Sequence, residues 1–376
     1  MSQPLVTFAL FAYKQERFIR EAVEGALAQR YSPLEIILSD DCSPDGTYEI
    51  MEQMAEAYAG PHKLVLNRNR QNLGLGGHVN AVMEMARGEL IIMAAGDDVS
   101  LPERTTVLTE AWVREERPAG IASGIIAMDQ NGERMEAHTD IILPRGHKGG
   151  VMPPPALVRL FLEHTRIGLL GCSAAWSKEN WNLFGKIREG VMHEDVILSF
   201  RGFLIGGLYT VNQSLVKYRS HSQSTSFTGR GQRADLSLSF YKWQALQMMH
   251  NESWRPPTSI NVIGDIRTAT EKLGLSPISL AELESLIEGH IAALPIHQKW
   301  WTLGFFGRLR YWNSSPYVSR AQRVASLFGL NGYVLIRYLL GWLRYASLEG
   351  TRAALAGWRK TGTGDPKNEP DEQLPG

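Results

Sequence analysis

The chain of 376 residues has little cysteine, no net charge and no long apolar run. Its two cysteines, Cys42 and Cys172, are too few for a disulfide framework or a four-sulfur zinc site, and they fit a reducing compartment. Because 39 Lys and Arg balance 39 Asp and Glu, there is no whole-chain basic field and nucleic acid is not an expected partner. Neither a membrane span nor a signal peptide is expected, since no run of about 18 apolar residues and no basic N-terminal stretch are present.

The first half of the chain alternates strand-like and helix-like segments. Short apolar runs typical of buried strands cover residues 5–12, 34–39, 63–67 and 89–94. Segments with helical spacing of apolar residues cover 16–30, 45–59, 76–86 and 102–116. This order predicts an α/β fold with a mostly parallel sheet flanked by helices.

The sequence after the first half predicts an extension of this domain, a helical region and a tail. Strand-like runs at 119–128 and 206–211 extend the first region, so we expect one domain over residues 1–225. After a stretch rich in Ser, Gly, Gln and Arg, residues 236–360 favour a mainly helical C-terminal region. Residues 361–376 are rich in Gly, Pro and acidic residues, which predicts a disordered tail.

Two pairs of acidic residues directly follow predicted strands. Asp40 and Asp41 come after the second strand, and Asp97 and Asp98 come after the fourth. Ligands of open parallel sheets bind outside the carboxyl ends of the strands, so the two pairs could meet in one crevice. Paired carboxylates there would suit Mg²⁺ or Mn²⁺ bridging phosphate oxygens. A purely structural role stays open, because Asp also caps helices and forms Asx turns.

The glycine-rich segment 72–77 is a candidate phosphate loop. It lacks the third glycine of the dinucleotide fingerprint, because Val79 occupies that position. A Rossmann cofactor site is therefore not expected. A turn that enters a helix could still approach a diphosphate, and a plain loop is the alternative.

Together these motifs resemble the family-2 glycosyltransferases with the GT-A fold. The resemblance spans roughly residues 4–220 and is carried by the order and spacing of Val6–Lys14, Ser39–Thr47, Asn72–Gly77, Ala86–Leu90 and Gly96–Asp98. It implies a nucleoside-diphosphate sugar donor, a divalent cation (Mn or Mg) and inversion at the anomeric carbon. The first domain, residues 1–225, would then be the nucleotide-sugar-binding catalytic domain.

The resemblance also implies binding roles for individual residues. Those implied to bind the nucleotide sugar are Phe11, Ala12, Tyr13, Asp40, Asp97, Gly171 and Arg219, and those implied to hold the metal are Asp98, Asp97 and His221. Asp40 matches the carboxylate that contacts the nucleobase. Asp97 and Asp98 match the end of the D-x-D element, although Ala95 occupies the position of its first Asp. Solvated surface positions remain the alternative for Arg219 and His221.

A third acidic pair, Glu194 and Asp195, resembles the E-D element of the same family at a helix start. The resemblance implies that Asp195 is the catalytic base and that Glu194 is the next candidate. Base catalysis requires one carboxylate near the acceptor hydroxyl. The alternative is an acidic first turn that stabilises the helix dipole.

The C-terminal region has a basic and aromatic composition of its own. Ten Lys and Arg stand against one acidic residue between positions 296 and 360, and five of the ten Trp lie there. Interleaved basic and aromatic residues on amphipathic helices suit an anionic membrane surface. The alternative is a helical subdomain whose Trp side chains pack against the core.

The sequence therefore predicts a cytoplasmic, metal-dependent inverting glycosyltransferase, peripheral on the inner face of the cytoplasmic membrane. It would transfer a sugar to a glycan or lipid-linked acceptor in polysaccharide or glycolipid assembly. One alternative is a sugar-phosphate nucleotidyltransferase, which would need a basic, glycine-rich signature where residues 12–16 stand. Another is a degenerate nucleotide-binding scaffold of a membrane polysaccharide assembly, which only Ala95 supports.

Overall fold

The computed structural model describes residues 3–135, 168–191, 193–221, 255–274 and 305–310. The predicted tail 361–376 and most of the basic, Trp-rich stretch 296–360 lie outside the described residues. The chain divides into two compact units, Met1–Arg233 with Asn251–Gln298, and Ala234–His250 with Lys299–Gly376. The predicted boundaries 1–225 and 236–360 remain predictions. None of the described helices is both long and apolar enough to cross a membrane.

The first unit contains an eight-stranded sheet flanked by helices. Its strands are β1 (Val6–Ala12), β2 (Leu34–Asp40), β3 (Lys63–Arg68), β4 (Leu90–Ala95), β5 (Val99–Ser100), β6 (Gly120–Met128), β7 (Ala174–Ser177) and β8 (Leu208–Arg219). Its described helices are α1 (Ile19–Leu27), α2 (Thr47–Glu56), α3 (Gly74–Met85), α4 (Arg104–Arg114), α5 (Lys178–Phe184), α6 (Glu194–Ile205) and α7 (Arg255–Leu273). In the second unit, helix α8 (Phe305–Arg310) is described.

The strand order is β3-β2-β1-β4-β7-β6-β8-β5. Strands β1 to β4 pair in parallel, as do β6 and β8. Strand β7 is antiparallel to both β4 and β6, and the two-residue β5 is antiparallel to β8. The α/β fold class is confirmed, and the sheet is mixed rather than parallel throughout, because β7 and β5 join it in the opposite direction.

Both faces of the central strands are buried. All seven residues of β1 and of β2 are buried, which explains why these strands appear in the sequence as near-continuous apolar runs. Phe8 and Ile36 pack on one face with α1, α2 and α4. Ile37 and Ile91 pack on the other face with α3, α6 and α7.

The register of the parallel strands aligns their carboxyl ends. Phe11 of β1 pairs with Ser39 of β2 and with Ala95 of β4. The segments that follow these three strands, 13–15, 41–45 and 96–98, therefore emerge at the same edge of the sheet. This is the edge at which open sheets bind their ligands.

Candidate functional site

A cavity of about 860 Å³ lies at this carboxyl edge. The residues that line it are Phe11–Gln15, Asp41, Pro44, Asp45, Asn72, Gly74, Leu75, His78, Met93–Ala95, Asp97, Asp98, Leu170–Cys172, His193–Asp195, Tyr218 and His221. The three acidic motifs singled out in the sequence thus reach one space. Among the predicted site residues, Asp40 and Arg219 do not line it.

The carboxylate of Asp40 is part of the framework below the cavity. Asp40 is fully buried and accepts hydrogen bonds from the backbone N and the Oγ of Ser43, and Arg68 Nε lies 3.7 Å from its Oδ2. The carboxylate that reaches the wall is the next one, Asp41. The prediction of Asp40 at the nucleobase therefore needs a correction, because Ser43 and Arg68 engage the Asp40 carboxylate and Asp41 is the one that lines the cavity.

Asp41 is fixed by the glycine-rich segment. Its Oδ1 accepts hydrogen bonds from Asn69 Nδ2 at 2.8 Å and from the backbone N of Leu73 at 2.9 Å. Its Oδ2 accepts no hydrogen bond from the part of the chain that the structure describes. One oxygen of Asp41 is thus used for positioning, and the other is left to accept a hydrogen bond from a ligand.

Phe11, Ala12 and Tyr13, predicted to line a base and ribose pocket, all lie at the cavity. The Phe11 ring meets the His78 ring edge-on, with centroids 5.1 Å apart. His78 Nε2 is 2.7 Å from Ser39 Oγ, and burial lowers the pKa of His78 to about 4. The imidazole is therefore neutral near pH 7, and this end of the cavity combines apolar and neutral polar groups.

Asp97, Asp98 and His221, predicted to hold a metal, also line the cavity. His221 Nε2 lies 2.9 Å from Asp97 Oδ2, and the His221 ring packs on Phe18 with centroids 4.7 Å apart. Asp98 Oδ1 accepts a hydrogen bond from the backbone N of Arg219 at 2.8 Å. Asp97 and His221 are thus in direct contact, and Asp98 contacts the backbone two residues before His221.

The chemistry of these donors fits a hard cation that is shared with a ligand. Asp98 Oδ2 is buried and has no hydrogen-bond partner among the described residues. Burial, and next the charge of Asp97, raise the pKa of Asp98 well above its ordinary value, which a nearby cation would reverse. In the described ranges no group of three His, Cys, Asp or Glu side chains is arranged to hold an ion by itself. Mg²⁺ is commonly held by one or two carboxylates plus substrate phosphates, which is the set available here.

The guanidinium of Arg219 is not available to a diphosphate. Arg219 is almost fully buried, and its Nε donates to the carbonyl of Asp97 at 2.9 Å. Its other nitrogens reach the carbonyl of Gln130 and the carboxylate of Glu21, over 3.4 and 3.0 Å. The prediction of direct donor contact is therefore corrected: Arg219 shapes the loop that carries Asp97 and Asp98.

Glu194 and Asp195 begin helix α6 and line the cavity together with Gly171. The backbone N of Gly171 donates to Asp195 Oδ2 at 3.3 Å, and a Cβ at position 171 would lie 2.8 Å from Glu194 Oε1. Burial, and next the charge of Asp195, raise the pKa of Glu194 to about 8. Near pH 7 Glu194 is mostly protonated, so a negative charge at this pair resides on Asp195.

Sequence reasoning assigned no role to His78 or Cys172, and it did not identify Asp41 as the member of its pair that lines the cavity. His78 lies on the buried face of α3, directly after the glycine-rich segment, so its helical position was the available signal. Burial, and next the charge of Asp98, raise the pKa of the Cys172 thiol well above its ordinary value. This thiol is not an activated nucleophile. Trp176 is fully buried in β7, so its ring is not available to stack on a sugar.

Comparison with known proteins gives relatives that match part of the chain. EpsE of Bacillus subtilis (strain 168) is 32% identical over 151 residues, which are 40% of this chain and 52% of EpsE. The UDP-Glc:alpha-D-GlcNAc-diphosphoundecaprenol beta-1,3-glucosyltransferase WfaP of Escherichia coli is 31% identical over 94 residues, 25% of this chain and 36% of WfaP. The chain thus spans about half of the length of EpsE, and less of WfaP.

Among solved structures, TarS 1-349 of S. aureus in complex with UDP-GlcNAc aligns with 88% of this chain and 90% of its own. Its identity is 12% and its TM-score is 0.47, a similarity that carries no argument about function. The family model for Glycosyl transferase family 2 matches residues 7–167. The resemblance predicted from the motifs is thereby confirmed over residues 7–167.

Proposed function

We propose that this protein transfers a sugar from a nucleoside diphosphate to an acceptor hydroxyl, with inversion at the anomeric carbon. The observation that carries the proposal is the convergence of Asp41, the pair Asp97–Asp98 and the pair Glu194–Asp195 on one cavity. These groups divide the cavity into an end suited to a base, a centre suited to a diphosphate and an end suited to proton removal.

The nucleotide end would be formed by Asp41 and the end of β1. The second carboxylate oxygen of Asp41 accepts hydrogen bonds only, so it fits a nucleobase that presents a ring N–H. Phe11 and Ala12 provide apolar surface, and Tyr13, whose side chain is 39% exposed, lies beside it. We assign to Asp41 the nucleobase contact that the sequence had suggested for Asp40.

The centre of the cavity, which would bind the diphosphate, would be formed by Asp97, Asp98 and His221. A Mn²⁺ or Mg²⁺ ion held there would supply charge neutralisation of the leaving diphosphate. Arg219 and Phe18 keep this part of the wall in place through the contacts with Asp97 and His221. We propose Asp97 and Asp98, with His221, as the protein side of the cation site.

Asp195 would be the general base. In a single displacement, Asp195 accepts the proton of the acceptor hydroxyl while the acceptor oxygen forms a bond to the anomeric carbon. The bond from that carbon to the diphosphate oxygen breaks, and the electron pair leaves with the diphosphate. The mostly protonated Glu194 leaves the negative charge of the pair on Asp195, which suits removal of a proton.

The acceptor we propose is a glycan or a lipid-linked sugar in polysaccharide assembly. Support comes from WfaP, whose name gives a diphosphoundecaprenol-linked acceptor.

We also propose attachment to the anionic inner face of the cytoplasmic membrane. In α8, Phe306 is 81% exposed and Leu309 47% exposed, within a stretch that has ten basic residues and one acidic residue. Such a surface fits an anionic bilayer.

The function is tested by a thermal-shift panel of nucleoside diphosphates and nucleotide sugars, with Mn²⁺ and with a chelator. The best donor is then assayed for hydrolysis and transfer, and product stereochemistry is read by NMR. We expect cation-dependent stabilisation and inverted product. Synthesis of a nucleotide sugar from a nucleoside triphosphate would favour the nucleotidyltransferase alternative. Binding without any turnover would favour the scaffold.

Membrane attachment is tested by co-sedimentation of the full chain with vesicles that contain or lack anionic lipid. Each basic residue near an anionic surface contributes about 1 kcal/mol, and salt screens this attraction. We expect binding to anionic vesicles that weakens at high salt. Equal sedimentation with neutral and anionic vesicles would contradict the electrostatic part of the proposal.

A further inference from the structure

The segment Gly185–Val191 connects α5 to the residues just before α6. Its chain continues directly to the acidic pair at the start of α6, so its position limits where that pair can lie. In the described residues this segment contains no helix or strand of its own. Hydrogen bonds from outside the segment must therefore fix its backbone.

Helix α3 provides one set of these hydrogen bonds. The side-chain amide of Asn80 donates to the carbonyl of Ile187 and accepts from the backbone N of Ile187, each over 2.8 Å. Close to the cavity, a Cβ at Gly76 would lie 2.7 Å from the carbonyl O of Val191. The segment thus lies directly against the helix that begins at the cavity wall.

Arg201 provides the second set. It lies on α6 itself, almost fully buried, and donates from Nη1 to the carbonyl of Gly185 at 2.8 Å and from Nη2 to the carbonyl of Lys186 at 3.3 Å. Its planar guanidinium can make these bonds only in one orientation. The orientation of the Arg201 side chain therefore determines whether the carbonyls of Gly185 and Lys186 receive these hydrogen bonds.

Helix α7 sets that orientation. Asp265 accepts two hydrogen bonds from Arg201, from Nε at 2.9 Å and from Nη2 at 3.1 Å. Asn261, one turn earlier, donates to Asp265 at 2.8 Å and accepts from the backbone N of Arg188 at 2.7 Å. Both residues are buried, and α7 lies outside residues 7–167, which match the family.

We propose that Asp265 and Asn261 are positioning residues for the Glu194–Asp195 pair. Together with Arg201 they fix the segment Gly185–Val191 and hence the first turn of α6. The inference rests on the proposed function, because it gives Asp195 the role of base. Helix α7 thereby helps to position the acidic pair, although none of its described residues lines the cavity.

The first test removes the charged pair while filling its space, in the full-length double variant Arg201→Met/Asp265→Leu. Apolar replacements of a buried ion pair are often tolerated in stability, whereas the donors to the carbonyls of Gly185 and Lys186 are lost. We expect kcat to fall about 10²-fold, as for a misplacement of about 1 Å, with donor affinity within about twofold of the wild type. The control Ile266→Val, buried on the same helix, should keep kcat.

A second variant covers the case in which the double variant does not fold. Asn261→Ala removes only the acceptor of the Arg188 amide and the partner of Asp265. We expect kcat to fall about tenfold with donor affinity unchanged, since misplacement of a reacting group acts on the chemical step. A folded variant of either kind that keeps kcat, or that loses it only in proportion to its unfolded fraction, overturns the proposal.

Hydrogen exchange separates this inference from the proposed function, because it needs no turnover. In both variants the amides of Gly185–Val191 and of the first turn of α6 should exchange faster, while those in the last turn of α6 keep their wild-type protection. Unchanged exchange in the segment overturns the positioning role whatever the activity. Wild-type protein that turns over no donor overturns the proposed function, and faster exchange would then still establish that α7 fixes the segment.

Discussion

The backbone amide of Gly171 donates a hydrogen bond of 3.3 Å to Oδ2 of Asp195. The turn before β7 therefore contacts the carboxylate at the start of α6 directly. A Cβ at position 171 would lie 2.8 Å from Glu194 Oε1 and 3.4 Å from the Asp195 Cβ, so the Glu194 side chain would have to shift. The geometry of the acidic pair thus depends on a glycine.

We predict that Gly171→Ala lowers kcat at least tenfold and leaves donor affinity within about twofold. The added methyl displaces the acidic pair, and misplaced reacting groups cost rate rather than ground-state binding. The control is Gly264→Ala on α7, where nothing lies within 4 Å of the new Cβ. The control should gain about 0.5–1 kcal/mol in stability and keep its activity, because Ala is the better helix residue. Full activity of Gly171→Ala would contradict the assigned geometry.

Asp195→Asn should lose transfer and keep donor binding. Removal of a general base costs about 10²–10⁴ in rate, and the amide still accepts the hydrogen bond from Gly171. Rates from single-turnover assays and donor affinity from calorimetry separate the two effects. Glu194→Gln should be milder, because its carboxyl is already mostly protonated near pH 7. If Glu194→Gln were the slower enzyme, the two roles would have to be exchanged.

Glu194 should also make stability depend on pH. Burial raises its pKa from 4.5 to about 8, so between these values the folded state binds more protons than the unfolded chain. The free energy of unfolding therefore falls as pH rises from about 4.5 to about 8. Glu194→Gln should match the wild type near pH 4.5 and exceed it increasingly toward pH 9, in thermal unfolding scans. The exposed control Glu24→Gln should leave the pH profile unchanged, and parallel profiles for Glu194→Gln would contradict the raised pKa.

Much of the fold could be predicted from local sequence. The strands β1, β2, β3 and β4 are short apolar runs between helical patterns, and each prediction agrees with the structure to within one residue. Strands β5 and β7 could not be predicted. They have two and four residues, and their pairing depends on partners distant in sequence, which leave no local periodicity.

The sequence was sufficient to predict which strand ends carry the carboxylates of the site. Which member of a pair reaches the cavity depends on tertiary contacts, as at Asp40, whose carboxylate is engaged by Ser43 and Arg68. Tertiary contacts keep Arg219 from binding a ligand, because Glu21 and Gln130 engage its guanidinium. The contribution of α7 had no signal in the sequence, since Asp265 and Arg201 are 64 residues apart.

Asp98→Asn should abolish the effect of Mn²⁺ on donor affinity and leave the fold intact. The buried Oδ2 has no hydrogen-bond partner among the described residues, so the substitution breaks no hydrogen bond with them at that atom. The amide oxygen can still accept from the backbone N of Arg219. Calorimetric titration of donor, with Mn²⁺ and with a chelator, gives the measurement. Wild-type enhancement by Mn²⁺ in the variant would place the cation elsewhere, whereas Asp129→Asn, which is outside the cavity, should behave as the wild type.

Asp40→Asn and Asp41→Asn, adjacent in sequence, should affect different properties, the first the stability of the protein and the second its affinity for the nucleotide. Asp41→Asn keeps an oxygen for the amides of Asn69 and Leu73 but removes the charged acceptor from the wall. Hydrogen bonds to charged groups contribute about 1.5–3 kcal/mol, so nucleoside-diphosphate affinity should fall roughly 10–150-fold, with little change in the unfolding temperature.

Asp40→Asn instead weakens the buried contacts with Ser43 and Arg68, so its effect should be on stability. It should lower the free energy of unfolding by about 1–3 kcal/mol and leave nucleotide affinity nearly unchanged under conditions where the variant is folded. Calorimetry and denaturant unfolding on both variants make the comparison. The reverse pattern, with affinity lost in Asp40→Asn and kept in Asp41→Asn, would restore Asp40 as the residue that contacts the base.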